Sequence, residues 1–447
     1  MIGSDTGWWQ SPVVVVVGGG TVAAVLWLLW RELRTVPAKL HVLMATAFLD
    51  MVGTLMVLPL LPYYAQRLGA GGSMVGLLVS SFAAAQLLSA PLWGRFSDKY
   101  GRRPTLMVAL GASAIAYVVF GYATSLWLLF ASRLVQGAGG GTVGVIQAYV
   151  TDATEPAERT KALGWLSAAT NLGVALGPVL GSWAASIGQT GIAIGGQTVQ
   201  VGPAAPGLLA ALLCVINLLF ARRYLTESRA PSSSSDGARR TSRSAVLRVL
   251  SHPGEIAPRL IWIYAIAMGA FQGVTAMLAL YLNAKFDITE RTIGYVFMYV
   301  GIISVVTRAL ILGKMVDRLG EARLSRLGTV MLSAGVLGIA LAPTIPVLLL
   351  ATALMPLGTA FTFPCVTAML SKVIATSERG LILGVQQTFG GLARVAFPAL
   401  AGVLFEFGIS WPFIASAALV ALTLPMTAGV GRAVESAQRA ARPPAAT

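Results

Sequence analysis

Charge is what this 447-residue chain lacks. Asp, Glu, Lys and Arg make up 11% of it, where soluble domains carry about 25%. A fold with so little charge cannot cover itself against water on all sides, so a soluble globular protein is excluded. Acidic residues are scarcer than basic ones, 17 against 32, which leaves a net charge of +15. The 2 cysteines, Cys214 and Cys365, both fall inside apolar runs. Neither a disulfide framework nor a thiolate metal site is expected from them. The 2 histidines, His41 and His252, lie far apart at the edges of apolar runs, so no metal is expected there either. No glycine-rich loop has Walker spacing, so ATP is not expected as the energy source.

What is present instead is length without charge. Uncharged apolar stretches of about 20 residues recur along the chain, each enough to cross a hydrocarbon core of about 30 Å. The fold class expected is an all-α polytopic membrane protein. Twelve core spans are predicted at 41–64, 74–94, 104–123, 126–151, 162–186, 206–224, 259–282, 293–312, 326–345, 347–373, 381–407 and 411–431. Ahead of them, Trp8 to Trp30 is apolar without a basic segment before it or a small-residue cleavage site after it. It reads as an extra N-terminal transmembrane helix rather than a cleaved signal.

A net charge of +15 is compatible with nucleic-acid binding, but the distribution argues against it. Of the 32 lysines and arginines, 26 fall on one predicted side of the membrane, 3 on the other and 3 inside spans. That one-sidedness marks the cytoplasmic face. It predicts a multi-pass protein of the cell inner (plasma) membrane with a cytoplasmic C-terminus. The expected organisation is 1–38 for the extra helix, 39–224 for a six-helix half, 225–258 for a linker, 259–432 for a second six-helix half and 433–447 for a tail. The linker holds Ser232 to Ser235 and the arginines 239, 240, 243 and 248, and reads as flexible with a short basic helix on the anionic leaflet. On the opposite side, the stretch 191–201 alternates around Gly195-Gly196 and reads as a small β-hairpin. The hairpin and the N-terminal helix are the two features suited to docking a membrane partner.

One signature occurs twice, 219 positions apart. Gly94, Asp98, Gly101, Arg102 and Arg103 define the first copy; Gly313, Asp317, Arg318 and Gly320 define the second. Each is a Gly-xxx-Asp-basic-x-Gly turn between two long apolar runs, which suits a bundle of two parallel repeats. These turns resemble motif A of the major facilitator superfamily. Other stretches agree with that resemblance. Leu49-Asp50-Met51-Val52-Gly53 followed by Pro59 to Pro62 is similar to the first helix of the tetracycline/proton antiporters. Arg133, Gln136, Gly137 and Gly139 resemble motif B, and Gly173, Gly177, Pro178 and Gly181 resemble motif C, the antiporter motif. Ser182 stands where that family usually has glycine. The stretches Gly358 to Pro364 and Leu392 to Pro398 resemble the tenth and eleventh helices of the same group.

The resemblance implies a twelve-helix fold of two six-helix parallel repeats, a transporter rather than an enzyme, a monomer, and the proton gradient as energy source without a cofactor. It implies drug:proton antiport of an amphipathic small molecule by alternating access. An uptake symporter, and a non-transporting scaffold, assembly subunit or sensor on the same fold, are the competing functions.

Asp50 is the only charged residue between Lys39 and Arg67, and nine residues past His41 it lies near mid-membrane. A carboxylate there costs at least ~2.5 kcal/mol, which suits a group that exchanges a proton. A neutral structural acid is the alternative. The resemblance assigns Arg133 a part in proton transfer; the alternative is an anchor donating to backbone carbonyls. The motif A turns read as a conformational switch, with Asp98 expected to face the start of the eleventh span near Gly380; a topology-setting basic turn is the other reading, compatible with the first. The small residues of motif C read as a close-packed seal between the halves, with ordinary small-residue packing as the alternative. Candidate cavity residues are Met51, Thr54, Gln136, Gln147, Phe271, Gln272, Tyr281, Phe361, Phe363 and Arg394, with lipid-facing or core packing as the alternative for any one of the polar and aromatic residues.

Overall fold

The computed structural model describes residues 38–440, apart from 141, 156–157, 191, 195–196, 200–201, 226, 228–238 and 376–377. The proposed N-terminal helix lies outside these residues. Apolar runs become helices because a backbone in lipid must satisfy its own hydrogen bonds. In chain order these are α1 (Ala38–Val57), α2 (Leu61–Arg67), α3 (Gly72–Tyr100), α4 (Arg102–Gly121), α5 (Leu126–Gly139), α6 (Thr142–Ala153), α7 (Arg159–Thr190) and α8 (Ala205–Tyr224). Then come α9 (Arg239–Ser251), α10 (Ile256–Phe286), α11 (Ile293–Val306), α12 (Leu312–Leu341), α13 (Ile345–Val373), α14 (Arg379–Phe407), α15 (Trp411–Ala421) and α16 (Val430–Ala440).

Among the described residues nine helical segments are each long and apolar enough to cross a bilayer, and Trp411–Thr427 with Val430–Ser436 makes a tenth, bent by 43°. Twelve spans are recovered from these in two steps. The segment Ile293–Leu341 has 49 residues, too long for one crossing, and Gly320 breaks its helix at φ 74° and ψ 159°. The remaining span is α5 with α6, each too short alone and separated at the glycines around 140. The fold is therefore the helical polytopic one that the sequence predicts.

The repeat extends to backbone conformation. Gly101 has φ 99° and ψ 162°, and Gly320, 219 positions on, has φ 74° and ψ 159°. A side chain strains that region, so the last glycine of each turn is required by geometry. Between α7 and α8, strands β1 (Ile192–Ile194) and β2 (Gln197–Val199) pair antiparallel, Ile192 opposite Val199. This is the hairpin read from the sequence. The linker forms α9, which packs on α10 and α14.

The first six spans and the last six meet along two seams, α3 against α14 and α7 against α11. Both seams are tight at the end away from the motif A turns. Gly72 and Gly76 of α3 lie so close to Gly402 and Pro398 that a Cβ on Gly76 would collide with a carbonyl. Arg67 and the buried Glu290 form an ion pair across the halves, Tyr63 donates to the Ile288 carbonyl at 2.8 Å, and Ser73 Oγ bonds Glu406 at 2.7 Å. At the motif A end, Gly94, Gly380 and Gly384 have open space around them. The molecule is closed at one end and open at the other.

Candidate functional site

Asp50 sits in the middle of α1 and is 7% exposed. That remnant opens on a cavity of about 500 Å³ walled by Met51, Gln147, Thr151, Ser167 and Thr170 of α1, α6 and α7. Two of the predicted cavity residues, Met51 and Gln147, are thus brought to the acid.

On the next turn of the same helix face, Thr54 meets Tyr117 of α4. The Tyr117 hydroxyl donates to Thr54 Oγ1 at 3.3 Å and accepts from Gln136 Nε2 at 2.6 Å. Its ring passes over Gly53, where a Cβ would sit 3.5 Å away. Arg133, one turn before Gln136 on α5, is 2% exposed, with its guanidinium 5.0 Å from the Phe120 ring centre. Its Nε and Nη2 meet no acceptor, and neither does Gln136 Oε1 meet a donor. A backbone anchor would have used those nitrogens, so the anchoring alternative does not describe this arginine. Asp50 and Arg133 both lie within electrostatic reach of Tyr117. Tyr117 therefore ties Thr54 of α1 to Gln136 of α5, a link the sequence reading missed. The available signal was a hydroxyl on the Phe120 face of an otherwise apolar run.

A second cavity, about 680 Å³, lies between the halves. Its walls are α3, α6 and α14, and its polar groups include Gln86, Gln387, Thr388 and Arg394. Gly144 and Ala148 of α6 line both cavities, so one helix separates this space from that of Asp50. Gln387 and Thr388 were not anticipated.

The remaining candidates are placed elsewhere. Tyr281 is fully buried, donating to the Ile339 carbonyl at 2.7 Å and stacked on Phe413 at 4.6 Å, so the expected cavity position is corrected to a core one. Phe361 is likewise buried beside Leu324 and Cys365. Phe271 packs partly buried on the apolar core, Phe363 packs 5.3 Å from the Tyr264 ring, and Gln272 is partly buried on α10. An aromatic in an apolar helix has a periodicity but no direction, and here core packing claims these rings.

In the first motif A turn, Arg102 is buried and holds three groups. Its side chain bonds Asp152 of α6 at 3.0 Å, Asp98 at 3.0 Å and Ser97 at 2.9 Å. Glu227 caps α4, accepting from the backbone N–H of Arg102 at 2.8 Å and of Arg103 at 3.1 Å. A carboxylate at a helix N-terminus is favourable. In this conformation Asp98 pairs with Arg102, and a Cβ at Gly380 would meet open space. The second turn repeats the clamp with charges reversed. Glu321 follows Gly320 as Arg102 follows Gly101, and it pairs with Lys372 at the end of α13, at 2.6 Å. Asp317 and Arg318 are exposed.

Motif C needs a correction. Gly173 and Gly177 do not face the other half: their Cβ positions would lie 2.6 Å from the Phe48 carbonyl and 2.8 Å from that of Val52, and Gly181 would collide with Met56. The bare stripe packs α7 against α1 inside one half. The seam between halves uses the neighbouring face, where the Gly294 N–H donates to Ser182 Oγ at 2.9 Å and Gly294 abuts the Pro178 carbonyl. Ser182, the departure from the usual glycine, supplies that bond.

Two helical halves, in contact at one end and enclosing polar cavities among their spans, suit a membrane transporter. The chain matches the Major Facilitator Superfamily over residues 43–342 and 260–445, and it belongs to that family. It is a multi-pass membrane transporter and not an enzyme. It is similar to Multidrug resistance protein 2 of Bacillus subtilis, 27% identical over 395 residues covering 86% of this chain and 93% of the relative. The class B tetracycline resistance protein of Escherichia coli is 24% identical over 371 residues, covering 81% and 87%. The crystal structure of the human organic anion transporter MFSD10 (TETRAN) superposes with a TM-score of 0.62 at 24% identity, covering 88% of this chain and 100% of that one.

Proposed function

We propose that this transporter exports amphipathic small molecules in exchange for protons, as a monomer without a cofactor, and that Asp50 carries the proton. One observation carries the reading: an acid at mid-span, 7% exposed, at the wall of a cavity of about 500 Å³. A carboxylate so placed is costly as an anion and tolerable once protonated. Arg133 and the Tyr117 hydroxyl sit behind it as a fixed charge and a polar bridge. Relatives named for multidrug and tetracycline resistance support efflux as the direction.

The basic end is the cytoplasmic one by the one-sidedness of its charge, in an inner (plasma) membrane with the C-terminus inside. The conformation described then opens inward. In the opposite state the motif A end closes, and Asp98 moves from Arg102 toward the N-terminus of α14. The Ser182 and Glu290 contacts break on that change.

The test uses the protein in liposomes with an imposed pH gradient and a pH dye trapped in the lumen. Tetracyclines, amphipathic cations, amphipathic acids and sugars are added in turn. The expected result is proton flux evoked by amphipathic compounds and not by sugars. Folded, correctly oriented protein that moves no protons with any of them overturns the antiport reading.

A further inference from the structure

We infer that the cavity between the halves recognises an anionic group on its substrate, a carboxylate or sulfonate, through Arg394. The inference deepens the transport reading above by naming the substrate's charge.

Arg394 lies 15 residues after Arg379 on α14, about 22 Å along the helix. That is the depth of the bilayer interior, where a guanidinium is expensive unless paired. Among the described residues no hydrogen bond, ion pair or ring contact engages it. It is partly buried and lines the cavity of about 680 Å³. The other two charges of the lining are already engaged. Asp98, the only carboxylate in that lining, is held by Arg102 at 3.0 Å, and Arg102 also engages Asp152. Asp50 faces the separate cavity across α6.

What is left is one guanidinium with no partner of its own, flanked by the neutral hydrogen-bonding groups Gln387 and Thr388 on the same helix. A guanidinium presents a planar fork of donors that matches a carboxylate in two parallel bonds. A lipophilic cation entering the same space offers that guanidinium no acceptor and meets its like charge in a poorly screened setting. The chemistry therefore favours amphipathic acids and zwitterions over permanent cations.

The test is equilibrium binding by fluorescence polarisation, with the full chain in lipid nanodiscs. The probes are two matched pairs: rhodamine 110 with its methyl ester rhodamine 123, and fluorescein with its methyl ester. Within each pair the change is loss of a carboxylate. The expected result is that the acids bind about tenfold tighter or more than the esters, the scale of one charge-assisted contact. Arg394→Gln abolishes that preference, and Arg394→Lys retains part of it. Thermal unfolding of each variant, unchanged from the parent, confirms that folding is intact. Esters binding as tightly as the acids, acids that fail to bind, or a preference that survives in Arg394→Gln each overturn the inference. The two proposals fail separately. Proton-coupled export of rhodamine 123 without export of rhodamine 110 leaves antiport standing and removes the anion site. Acid-selective binding without proton flux does the reverse.

Discussion

Gly177→Ala tests the packing of α7 on α1 with the smallest possible change. The added Cβ would lie 2.8 Å from the Val52 carbonyl oxygen and 3.0 Å from the Leu55 Cβ. Ordinary contact between such atoms is about 3.5 Å, so α7 must retreat by about 0.7 Å. The obstacle is backbone of a helix that is itself packed, which cannot rotate aside. Overpacking of this kind costs about 1–3 kcal/mol. Gly164 on the same helix is the control, because a Cβ there meets nothing within 4 Å. Gly164→Ala gains helix propensity, up to about 1 kcal/mol, and is expected to be neutral or stabilising. The assay is reversible unfolding in mixed micelles, followed by circular dichroism. The retreat also moves α1 two residues from Asp50, so substrate-evoked proton flux is expected to fall in Gly177→Ala and not in Gly164→Ala. Equal stability of Gly177→Ala and parent, or an equal loss in both variants, refutes the assignment of the glycine stripe to the α1 interface.

Other predictions follow the charge clamps and the seam. Asp152→Asn removes one of two carboxylates from the buried Arg102 and is expected to destabilise by about 1–3 kcal/mol, read by the same unfolding assay. Lys372→Glu sets two acids together at the second clamp; adding Glu321→Lys is expected to restore stability, and failure to do so contradicts the reversed-clamp reading. Ser182→Gly removes the acceptor of the Gly294 N–H, a bond across the seam in the conformation described. The closed state should lose about 0.5–1.5 kcal/mol. Distance distributions between spin labels at residues 69 and 409 should then shift toward separation, and an unchanged distribution counts against the seam.

The spans were legible because the bilayer imposes a length on every apolar run. The duplicated turn was legible because Gly101 and Gly320 need a backbone conformation that other residues avoid. The direction of a helix face was not legible. Gly173, Gly177 and Gly181 announce that something approaches closely, and only the fold shows it to be α1. Tyr281 and Phe361 look like cavity aromatics and are core, whereas Tyr117, also in the core, carries the hydrogen bonds that tie Thr54 to Gln136. The second clamp was hidden for another reason. Glu321 and Lys372 lie 51 positions apart, and their charges invert those of Arg102 and Asp152, so no search for a repeated motif aligns them.

The central claim is that Asp50 couples protons to substrate, and Asp50→Asn separates the two. The variant keeps the shape of the side chain and removes its titration. Measured side by side in the same liposomes, substrate binding should persist while substrate-evoked proton flux disappears, at any imposed pH gradient. Flux in Asp50→Asn equal to that of the parent would contradict the account, and the proton would then have to travel by another group.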